Sequence, residues 1–462
     1  MRDIRSVHFI GICGTAMAST AAAMKERGYT VTGSDEGVYP PMSEFLADRE
    51  IDVRSPFDPG NIPSDTDLIV VGNAMSRGNA EVELTLASKR RYISLPELLK
   101  EFFIRGKRSI VVTGTHGKTT TTSLLTWVFE HNGLNPSYML GGVPKNLKQG
   151  ARFTDSEWFI IEGDEYDTAF FDKRSKFVHY LPEIGIVNNV EFDHADIFEN
   201  LGAIKKSFSH FIRLVPNNGL LLANGDDENL RELLGVDFCP VKRFGLGEGN
   251  DARLADVEYS AEGSRFKLGN AEFFVPIIGE FNVRNAAAVA MAAQAAGISD
   301  EGIRSAFSTF QGIKRRMEVV GEAGGVTVID DFGHHPTAIS QTLKALREKY
   351  RGRRLWAIFE PRSNTTRRNV FQKELADALS LADRAVVAEV ARLELLAEDQ
   401  RLDPGELMTA IQDSGAKAAY LPTVDAILDH VSESVDSGDV VCVFSNGGFG
   451  GIHRRLLDFL RA

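Results

Sequence analysis

The chain has 462 residues, 43% of them hydrophobic and 25% charged, a composition typical of a globular protein with about three domains. Its formal net charge of −12 argues against nucleic acid as the main partner, and the sequence indicates neither a protein partner nor a membrane span. The three cysteines, Cys13, Cys239 and Cys442, are far apart and outside any C-x-x-C pattern. This argues against disulfides or a zinc site and favours a reducing, cytoplasmic compartment.

The first predicted elements are a strand, a tight turn and a helix. The strand VHFIGI leads into the loop GICGT, and a helix is expected from about Thr15 to Arg27, where Gly28 ends it. An apolar run after two N-terminal arginines is also typical of a signal peptide, but two glycines interrupt it and favour the folded alternative. Further strands are predicted at YTVTG and DLIVVG.

Two more blocks repeat this alternation. The second block contains the strands SIVVTG, WFIIEGD and IGIVNN, and the third contains VTVIDD, LWAIFE, AVVAEV and VVCVFSN. Helical patterns separate them, such as residues 336–350, whose apolar side chains share one face. The alternation predicts an α/β fold built on parallel sheets, which we divide into domains 1–106, 107–313 and 314–462.

The loop GICGT follows a strand and opens a helix. The amides of Gly11, Gly14 and Thr15, together with the helix dipole, are therefore placed to bind a pyrophosphate. Asp35 lies 21 residues past Gly14 at the end of the next strand, where a carboxylate can bind a ribose or a base. The glycines do not follow G-x-G-x-x-G, so a dehydrogenase is a weak alternative, and a plain tight turn is another.

A second loop, GTHGKT at Gly114–Thr119, has the parts of a phosphate-binding loop. Its amides would bind phosphate oxygens, Lys118 would neutralise the terminal phosphates, and Thr119 would reach magnesium. Val112 occupies the position where G-x-x-x-x-G-K-T requires glycine. The loop is therefore a shorter variant, which argues against ordinary motors and GTPases.

Clustered polar residues follow the next two strands of this block. Carboxylates this dense beside a phosphate loop repel one another unless a cation joins them, so they predict metal coordination, with a solvated acidic turn as the alternative. The residues after the first strand are Glu162, Asp164, Glu165 and Asp167. The residues after the second strand are Asn188, Asn189, Asp193 and His194, of which the histidine is a candidate for a second metal position.

The third block adds charged residues after its strands. Asp331 is placed to bind a ribose hydroxyl, whereas the adjacent His334 and His335 point in different directions and make a poor chelating pair. The segment EPRSNTTRRN contains arginines suited to binding several carboxylates, although ordinary surface charge explains them equally well. These arginines are Arg362, Arg367 and Arg368.

Together these motifs resemble the Mur ligase family, the ATP-dependent amino-acid and peptide ligases of bacterial cell-wall synthesis. The matching motifs run in order along essentially the whole chain and are GTHGKTTTT, EGDEYD, NNVEFDHAD, GEFNVRNAAAVAMAA, GIKRRME and DDFGHHPT. The resemblance implies a Rossmann-like UDP-substrate-binding domain, a P-loop ATPase-like central domain and a Rossmann-like C-terminal ligase domain. It also implies ATP and Mg²⁺ as cofactors, and a reaction through an acyl phosphate that an amine then attacks.

The resemblance also implies roles for individual residues. Lys118, Glu162 and His194 would be catalytic, and Thr119 would bind metal together with that glutamate and that histidine. The ATP site would comprise Gly114, Thr115, His116, Gly117, Lys118, Thr119, Thr120, Asn282, Arg316 and Asp331. The UDP-substrate site would comprise Gly11, Gly14, Thr15, Asp35, Ser76 and Asn189, and the peptide site Arg362, Asn364 and Arg367.

Further motifs bear on the substrates. YPPMS, DEYDTAFFDKRSKF, FDHADIF, EPRSNT and SNGGFGGIH are similar to those of family members that join the tripeptide L-alanyl-γ-D-glutamyl-meso-diaminopimelate to UDP-N-acetylmuramate. GICGT and DDFGHHPT are similar to those of members that add L-alanine, which is therefore the alternative second substrate. A non-catalytic nucleotide sensor is another alternative, but the complete set of catalytic and metal-binding residues argues against it.

The chain departs from the family pattern at three positions, of which Gly163, in place of a common alanine, is expected to change little. Phe281 replaces the usual histidine before Asn282, so the packing of adenine is expected to differ. Phe208 lies near the position where several members carry a carbamylated lysine, with Lys205 and Lys206 close by. The sequence alone leaves open whether either lysine is modified.

Overall fold

The computed structural model describes residues 4–390 and 393–461. The N-terminal part forms one five-stranded parallel sheet with four helices. Its strands are β1 (Ser6–Ile10), β2 (Thr30–Ser34), β3 (Asp52–Arg54), β4 (Leu68–Val71) and β5 (Tyr92–Ser94). Its helices are α1 (Thr15–Glu26), α2 (Met42–Ala47), α3 (Ala80–Ala87) and α4 (Leu95–Leu99). The strand order is β3-β2-β1-β4-β5, so the order reverses between β1 and β4, the place where parallel sheets commonly bind ligands.

The central part forms a ten-stranded mixed sheet and a separate two-stranded hairpin. Its strands are β6 (Arg108–Thr113), β7 (Ser137–Met139), β8 (Ala151–Arg152), β9 (Trp158–Glu162), β10 (Asp167–Ala169), β11 (Asp172–Ser175), β12 (Ile184–Val187), β13 (Leu220–Asn224), β14 (Val241–Gly245), β15 (Ala252–Tyr259), β16 (Ser264–Leu268) and β17 (Ala271–Val275). Its helices are α5 (Lys118–His131), α6 (Leu201–Ile212), α7 (Glu228–Arg231), α8 (Glu280–Ala295) and α9 (Asp300–Ser308).

The strand order of the central sheet positions the candidate site. The order is β17-β16-β15-β14-β13-β12-β6-β9-β7-β8, while β10 and β11 pair only with each other. Strand β6 pairs in parallel with β12 on one side and with β9 on the other. The loop after β6 is therefore flanked by the residues that follow β9 and β12.

The C-terminal part forms a six-stranded sheet with five helices. Its strands are β18 (Glu318–Ala323), β19 (Val326–Asp331), β20 (Leu355–Phe359), β21 (Arg384–Ala388), β22 (Lys417–Leu421) and β23 (Val440–Phe444), in the order β18-β19-β23-β20-β21-β22. Its helices are α10 (Pro336–Lys349), α11 (Gln372–Leu379), α12 (Pro404–Asp413), α13 (Val424–Ser432) and α14 (Ile452–Arg461). Neighbouring residues Val328 and Ile329 lie in different apolar clusters, so both faces of this sheet are buried.

The α/β prediction is confirmed, and every strand named from the sequence is present. The N-terminal apolar run forms β1 and α1, which excludes the signal-peptide alternative for the described part of that run. The predicted helix 336–350 is α10, with Ile339 and Leu343 fully buried. The predicted domains 1–106, 107–313 and 314–462 contain one large sheet each, and their exact boundaries stay a prediction.

The sheets are less uniformly parallel than predicted. Strands β15 to β17 pair antiparallel, as do β7 with β8 and β18 with β19. Strand β15 exposes much of its length, so its sequence lacks the apolar run by which the buried strands were found. Among the described residues, none of the helices combines the length and apolar character that crossing a membrane requires.

Candidate active site

The phosphate loop joins β6 to α5 and lies close to the end of β12. Gly114 and Gly117 have φ angles of +134° and +81°, which favour glycine. A Cβ atom on Gly117 would lie 2.7 Å from Oδ1 of Asn285, so a larger residue does not fit without a shift. The N–H of His116 donates to Oδ1 of Asn189 at 2.7 Å, and Nδ2 of Asn189 donates to the His116 carbonyl at 3.1 Å. The Asn189 side chain therefore fixes the shape of the loop.

The ammonium group of Lys118 is folded over this loop. Nζ donates to the carbonyls of Gly114 and Thr115 at 2.7 and 3.1 Å, and to Oε1 of Glu165 at 2.8 Å. Burial disfavours the charge of Lys118, but the carboxylates of Glu165 and Glu162 outweigh burial and raise its pKa. A fixed cation is therefore present where the loop would bind terminal phosphates.

Glu165 connects two of the predicted catalytic residues, a role that sequence reasoning missed. Its Oε1 accepts from Lys118 and lies 2.9 Å from Nε2 of His194. Its Oε2 is buried and has no hydrogen-bond partner among the described residues. Burial would lower the pKa of His194, but the hydrogen bond to Glu165 and the charge of Asp193 raise it. The acidic cluster was the only sequence signal for Glu165.

Glu162 lies at the end of β9, beside the phosphate loop. Its Oε1 accepts from the Thr119 hydroxyl at 3.1 Å, and its Oε2 accepts from the N–H of Gly141 at 2.8 Å. Nη2 of Arg316 lies 3.3 Å from the same hydroxyl. Burial raises the pKa of Glu162, and the charge of Lys118 opposes that rise. The structure thus brings Thr119, Glu162 and Arg316 together, although they are far apart in sequence.

The residues around Glu162 fit a magnesium ion. Mg²⁺ prefers oxygen ligands and usually takes one or two carboxylates with several waters. Thr119 and Glu162 supply a hydroxyl and a carboxylate, and Glu165, whose Oε2 has no hydrogen-bond partner among the described residues, lines the same cavity. His194 would supply a nitrogen, but its Nε2 is bonded to Glu165 in this structure.

Two of the four clustered acids have other partners. Asp167 forms an ion pair with Lys173 at 2.8 Å on the hairpin, and Asp164 forms one with Lys176 at 2.5 Å. Lysine side chains therefore already neutralise Asp164 and Asp167, and metal coordination by this cluster stays a prediction, with Glu162 as the acid named for it. Only the remaining two bond residues of the phosphate loop directly.

Two cavities meet at Glu162. The first, of about 410 Å³, is lined by the phosphate loop, residues 115–120, and by Asp331 at the end of β19, among others. The second, of about 510 Å³, lies between the first sheet and the central sheet and is lined by the loops after β1 and β4. Gly141, Glu162 and Asp164 line both cavities. The two cavities therefore adjoin at these residues.

Most residues predicted for the ATP site line the first cavity. They are Thr115, His116, Gly117, Lys118, Thr119, Thr120, Asn282, Arg316 and Asp331. Asp331 accepts backbone N–H bonds from Met317 at 2.8 Å and Gly333 at 2.7 Å, and burial raises its pKa. Phe281 also lines the cavity, which places an aromatic ring where the family has a histidine.

The residues predicted for the UDP-substrate site separate into two groups. Asp35 lines the second cavity and accepts backbone N–H bonds from Cys13 at 2.8 Å and Gly37 at 2.9 Å. Ser76 is exposed, one position beyond the lining residues. Asn189 does not line this cavity and bonds the phosphate loop, so its contact with the UDP substrate stays a prediction. The other predicted residues that line the cavity are Gly11, Gly14 and Thr15.

The residues predicted to bind peptide lie at the rim of the first cavity. Ser363 and Thr365 line this cavity. Arg362, whose side chain is 56% exposed, and Asn364 are their immediate neighbours. Arg367 donates to Oδ1 of Asn364. Contact of these three residues with a peptide stays a prediction.

Phe208, near which the resemblance places the family's modified lysine, belongs to the core. Phe208 is fully buried and packs against Phe177. Nζ of Lys205 donates to Glu232 at 2.8 Å, and Lys206 is exposed. Neither lysine lines either cavity.

Comparisons with known proteins agree with this geometry. Three family profiles match the chain: "Mur ligase family, catalytic domain" over residues 6–107, "Mur ligase middle domain" over 112–293, and "Mur ligase, glutamate ligase domain" over 315–447. The UDP-N-acetylmuramate–L-alanyl-γ-D-glutamyl-meso-2,6-diaminoheptandioate ligase of Haemophilus influenzae is 41% identical over 465 residues, which cover 99% of this chain and 100% of that protein.

Two further proteins are similar to this chain at lower sequence identity. The crystal structure of a murein peptide ligase from Psychrobacter arcticus has a TM-score of 0.72 and 36% identity, and covers 99% of both chains. The UDP-N-acetylmuramate–L-alanine ligase of Acetivibrio thermocellus is 31% identical over 461 residues, 96% of this chain and 93% of that protein. The matched profiles, together with near full-length identity above 30%, show that the chain belongs to the Mur ligase family.

Proposed function

We propose that this chain is an ATP-dependent ligase that joins L-alanyl-γ-D-glutamyl-meso-diaminopimelate to UDP-N-acetylmuramate. The observation that carries the proposal is the meeting of the two cavities at Glu162. One cavity has a phosphate loop for ATP, and the other lies at the switch point of a parallel sheet, as a site for the UDP sugar would. The peptide as second substrate is supported by the higher identity to the ligase named for it than to the L-alanine ligase.

In the first chemical step, an oxygen of the muramoyl carboxylate attacks the γ-phosphorus of ATP. A new oxygen–phosphorus bond forms, the bond from the γ-phosphorus to the bridging oxygen breaks, and ADP leaves with that electron pair. Lys118 neutralises charge on the transferred group, and Arg316, near Thr119, adds a second cation. Magnesium, when bound at Thr119 and Glu162, would supply further charge neutralisation.

In the second step, the free amine of the peptide attacks the carbonyl carbon of the acyl phosphate. An amide bond forms, the bond from that carbon to the phosphate oxygen breaks, and phosphate and a proton are released. Ser363 and Thr365 place polar groups on the C-terminal side of the first cavity, from which the amine would approach. Residues of the central and C-terminal parts line this cavity together, and exclusion of water from it would protect the acyl phosphate from hydrolysis.

The reaction can be tested by product analysis. Purified protein, ATP, Mg²⁺ and UDP-N-acetylmuramate are mixed with the tripeptide, with L-alanine, or with no amine, and the products are identified by mass spectrometry. The proposal requires ADP, phosphate and the UDP-muramoyl tripeptide in equal amounts. Binding of ATP without any ligation product would instead support a nucleotide sensor.

The amine specificity gives a prediction. A tripeptide that ends in diaminopimelate carries three carboxylates and a distant ammonium, so it needs several separated donors, whereas L-alanine needs one. We expect a much higher kcat/KM for the tripeptide than for L-alanine, and a loss of roughly 10-fold or more in tripeptide kcat/KM in Arg362→Ala. The matched control is Arg454→Ala on α14, whose side chain is 90% exposed. A clear preference for L-alanine would overturn the choice of peptide but not the ligase chemistry.

The role of His194 gives a second prediction. If it contributes to metal binding, His194→Ala is expected to raise the Mg²⁺ concentration that gives half-maximal activity by roughly 10-fold. The control is His210→Ala, which removes an exposed histidine from α6. An unchanged magnesium titration in folded His194→Ala would leave this histidine with a structural role, as the partner of Glu165.

We also propose a cytoplasmic location. Cys13, Cys239 and Cys442 are all free thiols in the structure, as expected in a reducing compartment. ATP and nucleotide-linked sugar are the proposed substrates, and both would have to be available where the enzyme works. Fractionation of cells that express a tagged full-length chain would test this location.

A further inference from the structure

Glu191 connects the phosphate loop to the C-terminal sheet. This residue follows β12, and its Oε2 lies 3.4 Å from Nε2 of His116 in the phosphate loop. The same Oε2 accepts from the hydroxyl of Thr337, in the first turn of α10, at 2.6 Å. The rings of His116 and His335 lie 4.4 Å apart. One carboxylate therefore contacts both the phosphate loop of the central part and helix α10 of the C-terminal part.

The backbone of Glu191 is bonded to the phosphate loop as well. Its N–H donates to the Thr115 hydroxyl at 2.9 Å, and that hydroxyl donates to its carbonyl at 3.1 Å. Burial would raise the pKa of its carboxyl, but His116 and Thr337 lower the pKa to about 2, so the group is ionised at neutral pH. Glu191 is thus bonded to the loop through its backbone and to α10 through the hydrogen bond that its carboxylate accepts from Thr337.

His116, Glu191 and His335 do not form a metal site, although one ligand atom from each lies within 4.8 Å of the other two. Nδ1 of His335 accepts from the N–H of Thr337 at 3.2 Å, and its Nε2 lies 3.0 Å from the carbonyl of Phe192, to which it donates. Burial lowers the pKa of His335 to about 3, so the ring is neutral with both nitrogens engaged. It has no free lone pair for a cation, and its bond to Thr337 caps α10 instead.

We propose that Glu191 is a positioning residue, which acts with Thr337 to keep the phosphate loop in its nucleotide-binding shape only while the C-terminal sheet is docked on the central sheet. This inference rests on the proposed function, because it assigns a role in ATP binding. It concerns how the loop is held, and it leaves the chemical steps unchanged.

The two cavities differ in how far they depend on this contact. The first cavity is lined by residues of both the central and the C-terminal part, including Lys118 and Asp331. The second is lined only by residues between Gly11 and Tyr180. Loss of the bond between Glu191 and Thr337 would lower the population of the form in which the C-terminal sheet is docked. The apparent affinity of a ligand falls with that population only if the ligand binds the docked form alone. ATP binding should therefore weaken while UDP-N-acetylmuramate binding stays unchanged.

Thr337→Val tests the contact with a small change of shape. It removes the hydroxyl that donates to Glu191, and we expect the Kd for a non-hydrolysable ATP analogue and the KM for ATP to rise about tenfold. The KM for UDP-N-acetylmuramate should not change, and Thr337→Ser, which keeps a hydroxyl, should restore ATP binding. The matched control is Thr409→Val on α12, where the hydroxyl bonds only its own helix. Isothermal titration calorimetry and steady-state assays give these values on the full-length chain.

The results of these experiments distinguish a failure of the role inferred for Glu191 from a failure of the proposed ligase function. Equal ATP affinity in wild type and Thr337→Val would overturn the inference, as would equal losses for both substrates or a failure of Thr337→Ser to restore binding. A fall in kcat with both KM values unchanged would indicate a merely structural role and would also overturn it. A wild type that does not bind the ATP analogue would overturn the proposed function itself.

Discussion

Lys118→Ala is expected to lower the rate of ADP formation by on the order of 100-fold or more. The ammonium lies over the phosphate loop with its partners already in place, so it meets the charge that develops during phosphoryl transfer without reorganisation. The second cavity does not include Lys118, so UDP-N-acetylmuramate should still bind. Steady-state release of ADP and calorimetric titration of the UDP substrate measure the two effects.

The control for this variant is Lys173→Ala. Lys173 also forms an ion pair, with Asp167, but its side chain is 70% exposed on the hairpin, so activity should be unchanged. Turnover within a few-fold of wild type in folded Lys118→Ala would contradict the assignment. Its melting temperature must be measured, because removing one partner of a buried pair can cost about 3–5 kcal/mol and Glu165 is only 2% exposed.

A double variant separates catalysis from stability. In Lys118→Ala/Glu165→Gln the buried carboxylate is replaced by a neutral amide, so the cost of an unpaired charge disappears. The double variant should therefore melt closer to wild type than Lys118→Ala does, yet remain as inactive. Recovery of activity along with stability would show that Lys118 acts mainly as a structural partner of Glu165.

The elements of the fold that were predicted correctly are those that a short stretch of sequence identifies. Buried parallel strands read as apolar runs, and polar residues at their ends fall at one edge of the sheet because parallel strands share a direction. This is why the phosphate loop and Glu162 could be placed in one site before the structure, whereas Asp331, at the end of a strand in another sheet, was added to that site by resemblance. The antiparallel strands β15 to β17 were missed because half-exposed strands lack such a run.

The parts of the site that could not be predicted depend on side-chain direction and on contacts between distant segments. Four acids in six residues do not reveal that Glu165 turns towards Lys118 while Asp167 turns towards Lys173. Likewise, nothing in the sequence around Asn189 shows that its amide pairs with the backbone of His116. Periodicity and spacing carry no information about such pairings.

The contacts between the C-terminal part and the central part could not be predicted from the sequence either. Arg316 was placed in the ATP site by resemblance alone, and the structure adds its contact with the hydroxyl of Thr119. Arg315 and Met317 on either side have positive φ angles, so the backbone turns sharply where the chain enters the C-terminal sheet. Glu191 and Thr337 are 146 residues apart and belong to no common motif. Contacts of this kind are visible only once the three sheets are assembled.

The second large effect is expected at Glu162. Its carboxylate borders both cavities and accepts from Thr119 and Gly141, and in the proposed reaction it would hold magnesium. Glu162→Gln keeps the shape and one acceptor oxygen but removes the charge that a divalent cation needs. We expect the rate of ADP formation to fall by at least on the order of 100-fold, with or without the peptide amine present.

The design of the Glu162 experiment follows from its position between the cavities. If the residue acts in the transfer of the phosphoryl group, then UDP-N-acetylmuramate and an ATP analogue should each still bind, as titration calorimetry can measure. Glu183→Gln is the matched control, because Glu183 pairs with Arg108 outside both cavities. A folded Glu162→Gln that forms ADP at close to the wild-type rate would remove this residue from the reaction. Loss of UDP-substrate binding instead would show that Glu162 shapes the second cavity and does not serve the phosphoryl transfer.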